Sequence, residues 1–351
     1  MRIFSGIQPT GRKHLGNYLG AIVRYVEGQE RTQSPSATGT GGEAIYCIVD
    51  LHATTVAYEP AQLRERTLDT AAILLAAGLD PARCILFRQG DVHEHTELCW
   101  LLCSVTALGE LNRMHQFRDK SAVQRELVSA GLLFYPVLQA ADVLAYRAGE
   151  VPVGEDQREH LELMRDVAAR FNARFPTPSC GRSGTGGEDT LVVPEHRIPT
   201  VAARVRDLQE PERKMSTTGG SEQGTVYVLD EPAAIVKKFK RAVTDSGNDI
   251  RRAPDKPGVS NLIEIMAAVR GATPEQVEAD LAGARGYGDL KMATAEAVVE
   301  ALAPVRERYL ELRGDEAALE EALGAGAEKA RAIARETLAD VREAMGVGPP
   351  R

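Results

Sequence analysis

The chain has 351 residues, of which 43% are hydrophobic and 26% charged, with a net charge of −8. That length allows one large core or two domains, and the acidic balance speaks against a protein that coats nucleic acid without specificity, while leaving room for a local basic patch. No apolar run reaches the roughly 20 residues that cross a bilayer, and Met1–Ser5 enters a strand at once with no secretory pattern, so a cytoplasmic location is expected.

Residues 2–6 predict a strand and residues 14–30 a helix. The turn between them, Gln8-Pro9-Thr10-Gly11 to His14-Leu15-Gly16-Asn17, belongs to a stretch with glycines at 6, 11, 16 and 20. Strand, glycine turn and helix N-terminus in that order let a phosphate approach the backbone, although an ordinary βα turn has the same outline. Residues 32–43 are small or polar and read as a surface loop. A buried strand over 44–49 ends in Asp50-Leu51-His52-Ala53-Thr54-Thr55, at the end of an open sheet that faces a ligand crevice. His52 stands out there, with helix capping as the bland alternative. Pro60 and Gly78 bracket a helix over 60–77. Residues 84–87 predict a third strand, and 94–109 an apolar helix carrying Trp100. Alternating strands and helices imply an α/β protein with a parallel sheet covered on both faces. The five cysteines, Cys47, Cys84, Cys99, Cys103 and Cys180, form no CxxC, so reduced, mostly buried thiols are expected and a zinc site is not.

Residues 109–121 are polar, mixed in charge and aperiodic. Phe134–Tyr146 predicts a helix with Pro136 in its first turn, and Tyr135, Gln139, Asp142 and Tyr146 fall near one face of it. Asp142 among apolar neighbours needs a partner if buried. Val151-Pro152-Val153, Gly154-Glu155-Asp156-Gln157 and the helix that follows repeat the strand, glycine turn, helix order. Residues 176–190 read as another loop. Lys214-Met215-Ser216-Thr217-Thr218-Gly219-Gly220 offers an ammonium, hydroxyls and exposed N–H groups, as a phosphate clamp would. From 225 the chain turns helical, with its densest basic run at Lys237-Lys238, Lys240-Arg241 and Arg251-Arg252. Long helices are expected over 291–313 and, as one or two, over 315–346. Lys291-Met292 echoes Lys214-Met215 inside a helix and is set aside.

Phe4-Ser5-Gly6-Ile7-Gln8-Pro9-Thr10-Gly11 with His14-Leu15-Gly16-Asn17 resembles the first signature of class I aminoacyl-tRNA synthetases, in wording that looks like the tryptophanyl enzymes. Lys214 to Thr218 looks like the second. IVDLHATT, GELNRMHQFRDKSA, YPVLQAADVL, VPVGEDQREHLEL, AVTDSG and KPGVSNLIEI follow in the family's order, so the resemblance spans all but about 32–43 and 176–190. It implies a Rossmann-type, doubly wound domain over 1–206, a mobile loop over 207–224, a helical anticodon-reading domain over 225–300, and C-terminal helices over 301–351 that pack back on the first domain. The reaction it implies is activation of L-tryptophan by ATP, with Mg2+ accompanying the nucleotide, and transfer to tRNA(Trp) by a homodimer whose apolar 94–140 region is the candidate interface. Membrane and DNA are not expected partners.

Carried over residue by residue, Gln8, Pro9, Thr10, His14, Gly16 and Asn17 would bind ATP, Gly154, Glu155 and Asp156 would hold adenosine, and Val205 would pack on adenine. Lys214, Met215, Ser216, Thr217 and Thr218 would grip pyrophosphate, with Lys120 near the triphosphate. Lys214, Ser216, Lys120, His14 and Asn17 form the implied catalytic set. Asp142 would accept the indole N–H, in a pocket completed by Phe4, Gly6, His52, Tyr135, Gln139 and Val151. No residue is assigned to a metal. The chain departs from the pattern twice. Thr217 stands where the second signature usually has lysine, with Arg213 and Lys120 as nearby replacement cations. Gln139 stands where many bacterial tryptophanyl enzymes have methionine. The rivals are a tyrosyl enzyme, a non-catalytic RNA-binding paralogue, and another nucleotidylyl transferase on the same sheet, which leaves the helical region after 225 unexplained.

Overall fold

A computed structural model describes residues 2–33, 42–118, 128–152, 154, 157–176, 189–197, 205–216 and 220–349. Its centre is a five-stranded parallel sheet in the order β3-β2-β1-β4-β5, formed by Arg2–Ile7 (β1), Glu43–Ile48 (β2), Ile85–Arg88 (β3), Glu150–Pro152 (β4) and Glu195–Arg197 (β5). Ile3 of β1 lies opposite Ala44 of β2 on one side and Glu150 of β4 on the other. The chain therefore winds outward from β1 in both directions, and the order reverses between β1 and β4. Such a reversal opens a crevice at the carboxyl ends of those strands. Ala44 to Ile48 are wholly buried, as the run of apolar residues requires of a parallel sheet covered on both faces.

The helix after β1 runs Leu15–Asn17, passes through a π-turn at Tyr18–Ile22 and continues as Val23–Gln33. Pro60–Ala76 follows β2, and Gly78 supplies the left-handed turn (φ +116°) that ends it. The apolar helix with Trp100 covers only Glu94–Cys103, and a second begins at Leu108–Arg113, inside the stretch that had read as aperiodic. Ser104 and Thr106 break the pattern by turning their hydroxyls onto the carbonyls of Leu101 and Leu102. The helix expected from Phe134 begins earlier, as Ala130–Leu144, because Ser129 accepts the Leu132 N–H as its cap. Pro136 therefore lies inside the helix, where it is buried.

Beyond 225 the helices are Pro232–Lys240, Pro257–Arg270, Pro274–Asp280, Tyr287–Arg313 and a single Glu316–Met345. The first three each open on proline, whose missing N–H costs nothing in a first turn. Glu316–Met345 returns to the sheet and lies against β3, where a Cβ on Gly326 would stand 1.8 Å from the Leu86 carbonyl oxygen. Arg88 of β3 grips Glu320 through both oxygens (3.0 Å each), and Arg313 bonds Asp69 at 2.9 Å. The basic run is not a uniform solvent-facing stripe. Lys237, Lys240 and Arg241 are exposed, but Lys238 turns inward to Asp230 and the Thr225 carbonyl, both at 2.7 Å. Among the described residues no helix is long and apolar enough to cross a membrane.

Candidate active site

Two polar groups stand at the carboxyl ends of the strands. The first is built on the turn after β1. His14 ends that turn as the cap of the helix beginning at Leu15, its Nδ1 accepting the Asn17 N–H (3.3 Å), while Asn17 Oδ1 accepts the His14 N–H (3.1 Å). Both residues are thus held by a reciprocal capping box. With Nδ1 an acceptor, Nε2 is the nitrogen that carries the hydrogen of the neutral ring. Burial, followed by the charges of Lys214 and Lys13, pushes the His14 pKa down to about 4. Gly16 has a steric duty, since a Cβ there would come within 2.9 Å of the His14 ring and 3.6 Å of Val205. Gly11 supplies a left-handed turn (φ +64°).

Lys13, which the sequence reading passed over, is buried beneath this turn. Its Nζ donates to the carbonyls of Gln8 (2.8 Å) and Thr10 (3.5 Å), leaving the Gln8 and Thr10 side chains outside and Pro9 inside. Burial and the nearby Arg66 bring the Lys13 pKa down to about 8 against the opposing pull of Asp69.

The segment around 214 reaches the same place. The Met215 N–H donates to the Val205 carbonyl (3.0 Å), and Arg206 and Lys214 form an antiparallel bridge. Val205 and Met215 are buried, so Gly16, Val205 and Met215 bring the two signatures together, with Lys214 exposed and its charge felt at His14. The Ser216 carbonyl accepts the Thr225 hydroxyl at 3.4 Å. Arg213, one of the replacement cations, is exposed and paired with Glu210 at 2.8 Å. Gly154 is exposed, and its carbonyl accepts the Gln157 N–H. Lys120, Glu155, Asp156, Thr217 and Thr218 lie outside the described residues.

The second group centres on Asp142, buried in the Ala130–Leu144 helix. One carboxylate oxygen accepts from Gln89 Nε2 (2.6 Å) and His95 Nδ1 (2.6 Å), the other from His52 Nε2 (2.8 Å). Burial works to raise the Asp142 pKa, but hydrogen bonds from His52 and His95 overcome it and hold the carboxyl well below its usual range. An ionised Asp142 requires Nδ1–H on His95, whose Nε2 pairs with the Tyr146 hydroxyl at 2.6 Å. Phe4 stacks on Tyr146 with centroids 5.3 Å apart, and the Tyr135 ring meets His52 edge-on at 6.2 Å. Gly6 beside Val49 and buried Val151 of β4 complete the floor. Tyr135 turns its hydroxyl to His160 (2.8 Å) and Gln116 (3.1 Å), and Gln139 Nε2 donates to Gln157 Oε1 (3.3 Å).

Gln89 and His95 were not anticipated. Gln89 follows β3 as His52 follows β2, and its Oε1 also accepts the Leu51 N–H (3.1 Å), so the rule that singled out His52 reaches it too. His95 gave no signal beyond being a histidine on a helix with apolar neighbours.

The low His14 pKa fixes a pH response. Between pH 6.5 and 4 the unfolded chain binds a proton at His14 that the folded chain does not. The associated stability is complete above pH 6.5 and is lost as pH falls toward 4, by on the order of 3 kcal/mol. Thermal midpoints of the wild type should therefore fall faster over that window than those of His14→Gln. Parallel curves would refute the assignment.

Comparison with known proteins places this geometry. The family model for class I tRNA synthetases (W and Y) matches residues 1–303. A protein of Mycobacterium leprae named Tryptophan--tRNA ligase is 48% identical over 353 residues, covering 100% of this chain and 97% of its own length. The crystal structure of tryptophanyl-tRNA synthetase from Mycoplasma pneumoniae superposes with a TM-score of 0.86 at 35% identity, over 99% of this chain and 98% of that one. A Campylobacter jejuni tryptophanyl-tRNA synthetase, complexed with ADP and tryptophan, matches with a TM-score of 0.79 at 31% identity, over 99% and 100%. With both signatures joined at one crevice and the family model spanning most of its length, the chain belongs to the class I tRNA synthetases of the tryptophan and tyrosine group.

Proposed function

We propose that this enzyme is a tryptophan–tRNA ligase, a reading carried by its 48% full-length identity to a relative of that name. The tryptophan carboxylate attacks the α-phosphorus of ATP. A P–O bond forms to the amino acid, the α–β bridging P–O bond breaks, and pyrophosphate leaves with the electron pair. The adenylate then passes its acyl group to the 3′-terminal ribose of tRNA(Trp), releasing AMP. Such chemistry needs positioning and charge stabilisation more than a covalent partner.

In this reading His14 donates from Nε2 toward the phosphates, and Gly16, Val205 and Met215 form the wall against which adenine packs. Lys214 and Ser216, with Lys120, Thr217 and Thr218, attend the departing pyrophosphate. Gly154, Glu155 and Asp156 hold adenosine. Asp142 receives the indole N–H, with His52, Gln89 and His95 keeping it ionised and aimed. Phe4, Gly6, Tyr135, Gln139 and Val151 enclose the ring, and Gln139 makes that pocket more polar than methionine would. Arg213 and Lys120 stand as the replacement cations for the lysine missing at Thr217, with Arg213 paired at the surface with Glu210.

Among the described residues no three histidine, cysteine or acidic side chains gather as ligands of an ion. Mg2+ would arrive with ATP, coordinated by phosphate oxygens and water, and would neutralise charge on the leaving group. The helical region over 225–300 takes the anticodon end of the tRNA, and the cytoplasm is where that partner is met. Homodimerisation is proposed through the apolar 94–140 region, in which Trp100 (76% exposed), Leu108 and Phe134 are exposed. Trp100→Glu should convert a dimer to a monomer in sedimentation equilibrium, and an unchanged mass would place the interface elsewhere.

The deciding experiment is amino-acid-dependent ATP–pyrophosphate exchange. Exchange with tryptophan and not tyrosine is expected. Exchange with tyrosine alone would make this the tyrosyl enzyme, and none with either would favour the non-catalytic paralogue.

A further inference from the structure

We propose that Arg12 is a positioning residue that sets the separation of the two ATP-binding segments, 8–17 and 214–216; the proposal rests on the reading of that crevice as an ATP site. The backbone already brings the exit of the second segment to the first. The Leu15 N–H donates to the Val226 carbonyl (2.8 Å) and the Val228 N–H to the Lys13 carbonyl (2.9 Å), as short antiparallel pairing around His14 and Tyr227. One side chain fastens this junction at three places. The Arg12 guanidinium bonds Asp230 through Nη2 (3.0 Å) and Glu222 through Nη1 (3.2 Å), and its central carbon lies 3.8 Å from the Tyr227 ring centroid. Only a planar fork that both bonds two carboxylates and stacks on a ring can do all three.

The partners are themselves tied together. Tyr227 donates its hydroxyl to Glu222 (3.2 Å), and Asp230 accepts the Tyr227 N–H (3.0 Å) and Lys238 Nζ (2.7 Å). Lys238 also holds the Thr225 carbonyl at 2.7 Å. Residues between 222 and 230 are thus tied to one another, and Arg12, two residues before His14, joins them to the glycine turn. Removing Arg12 leaves buried Asp230 still neutralised by Lys238, so the fold should persist while the spacing loosens. A displacement of about 1 Å between two groups that must grip one triphosphate is enough to weaken binding and slow the chemistry.

The full chain is assayed by tryptophan-dependent exchange and by calorimetric titration with ATP alone. Arg12→Met should raise both the KM and the Kd for ATP about tenfold and leave the KM for tryptophan unchanged. Arg12→Lys should recover only part of this, because an ammonium cannot fork. Glu222→Gln, which removes an exposed partner, should cost about twofold at most. A merely structural arginine would lower the thermal midpoint and kcat while leaving both KM values alone. That pattern, or equal changes in both KM values, or no change at all in an active wild-type background, would overturn the proposal. A wild-type chain that neither binds ATP nor exchanges would overturn the ATP-site reading, and this proposal with it.

Discussion

Replacing Asp142 with asparagine is expected to lower kcat/KM for tryptophan in the exchange assay by about a hundredfold or more, the value of a charge-assisted hydrogen bond together with a misaligned donor. The loss has two sources. The indole N–H would lose an ionised acceptor, and the amide would turn an NH2 toward donors that now converge on a carboxylate: Gln89, His95 and His52. The KM for ATP should barely move, because that site is assembled from other segments. His95→Gln should reproduce a smaller share of the defect, since His95 bonds the carboxylate and is itself bonded to Tyr146. Equal losses for ATP and tryptophan would show collapse of the fold in place of a damaged pocket. Because the carboxyl is held below its usual range, the stability it contributes is intact above about pH 4 and is lost as pH falls through the lower folded value.

Gly326→Ala is expected to be the most destabilising single methyl in the C-terminal helix. A Cβ at that position would meet the Leu86 carbonyl oxygen at 1.8 Å and its carbonyl carbon at 2.7 Å. The obstacle is backbone in the sheet, which has no rotamer to yield, so the Glu316–Met345 helix must lift from β3. Overpacking of this kind costs about 1–3 kcal/mol, or more where a whole helix shifts. Gly324, two positions earlier, has nothing within 4 Å of its Cβ direction. Gly324→Ala should therefore gain up to about 1 kcal/mol from helix propensity alone. The two variants should move the thermal midpoint in opposite directions, and a shared sign would mean that the helix does not sit on β3 as described.

Much of this architecture could be read before any coordinate. The Ala44–Val49 run, the Pro60 and Gly78 punctuation, and the turn after β1 each carry their own local signal, and the strands and helices appear where those signals put them. The failures have local causes as well. The sequence pattern places the helix from Phe134, with Pro136 near its first turn because proline favours that position, but Ser129 caps the helix further back. Ser104 and Thr106 end a helix whose apolar pattern continued past them. In the site, Asp142 stood out because a buried charge must be accounted for. Gln89 and His95, which do the accounting, lie 53 and 47 positions away in the chain and become neighbours only through the sheet. Arg12 read as one more charge in a polar turn, since nothing local connects it to Asp230, 218 positions downstream. The contacts that escaped were those that depend on topology.

The seating of Glu316–Met345 on β3 has a consequence in time. Arg88 waits for Glu320 across 232 positions of chain. At a synthesis rate of about 5–20 residues per second, β3 leaves the ribosome roughly 10–50 seconds before its covering helix. Until then the sheet has a raw border with unpaired strand groups, the kind of surface on which nascent chains join one another. The last long helix is thus a seal as well as a support, and the interval before it closes is when this chain is most exposed to aggregation.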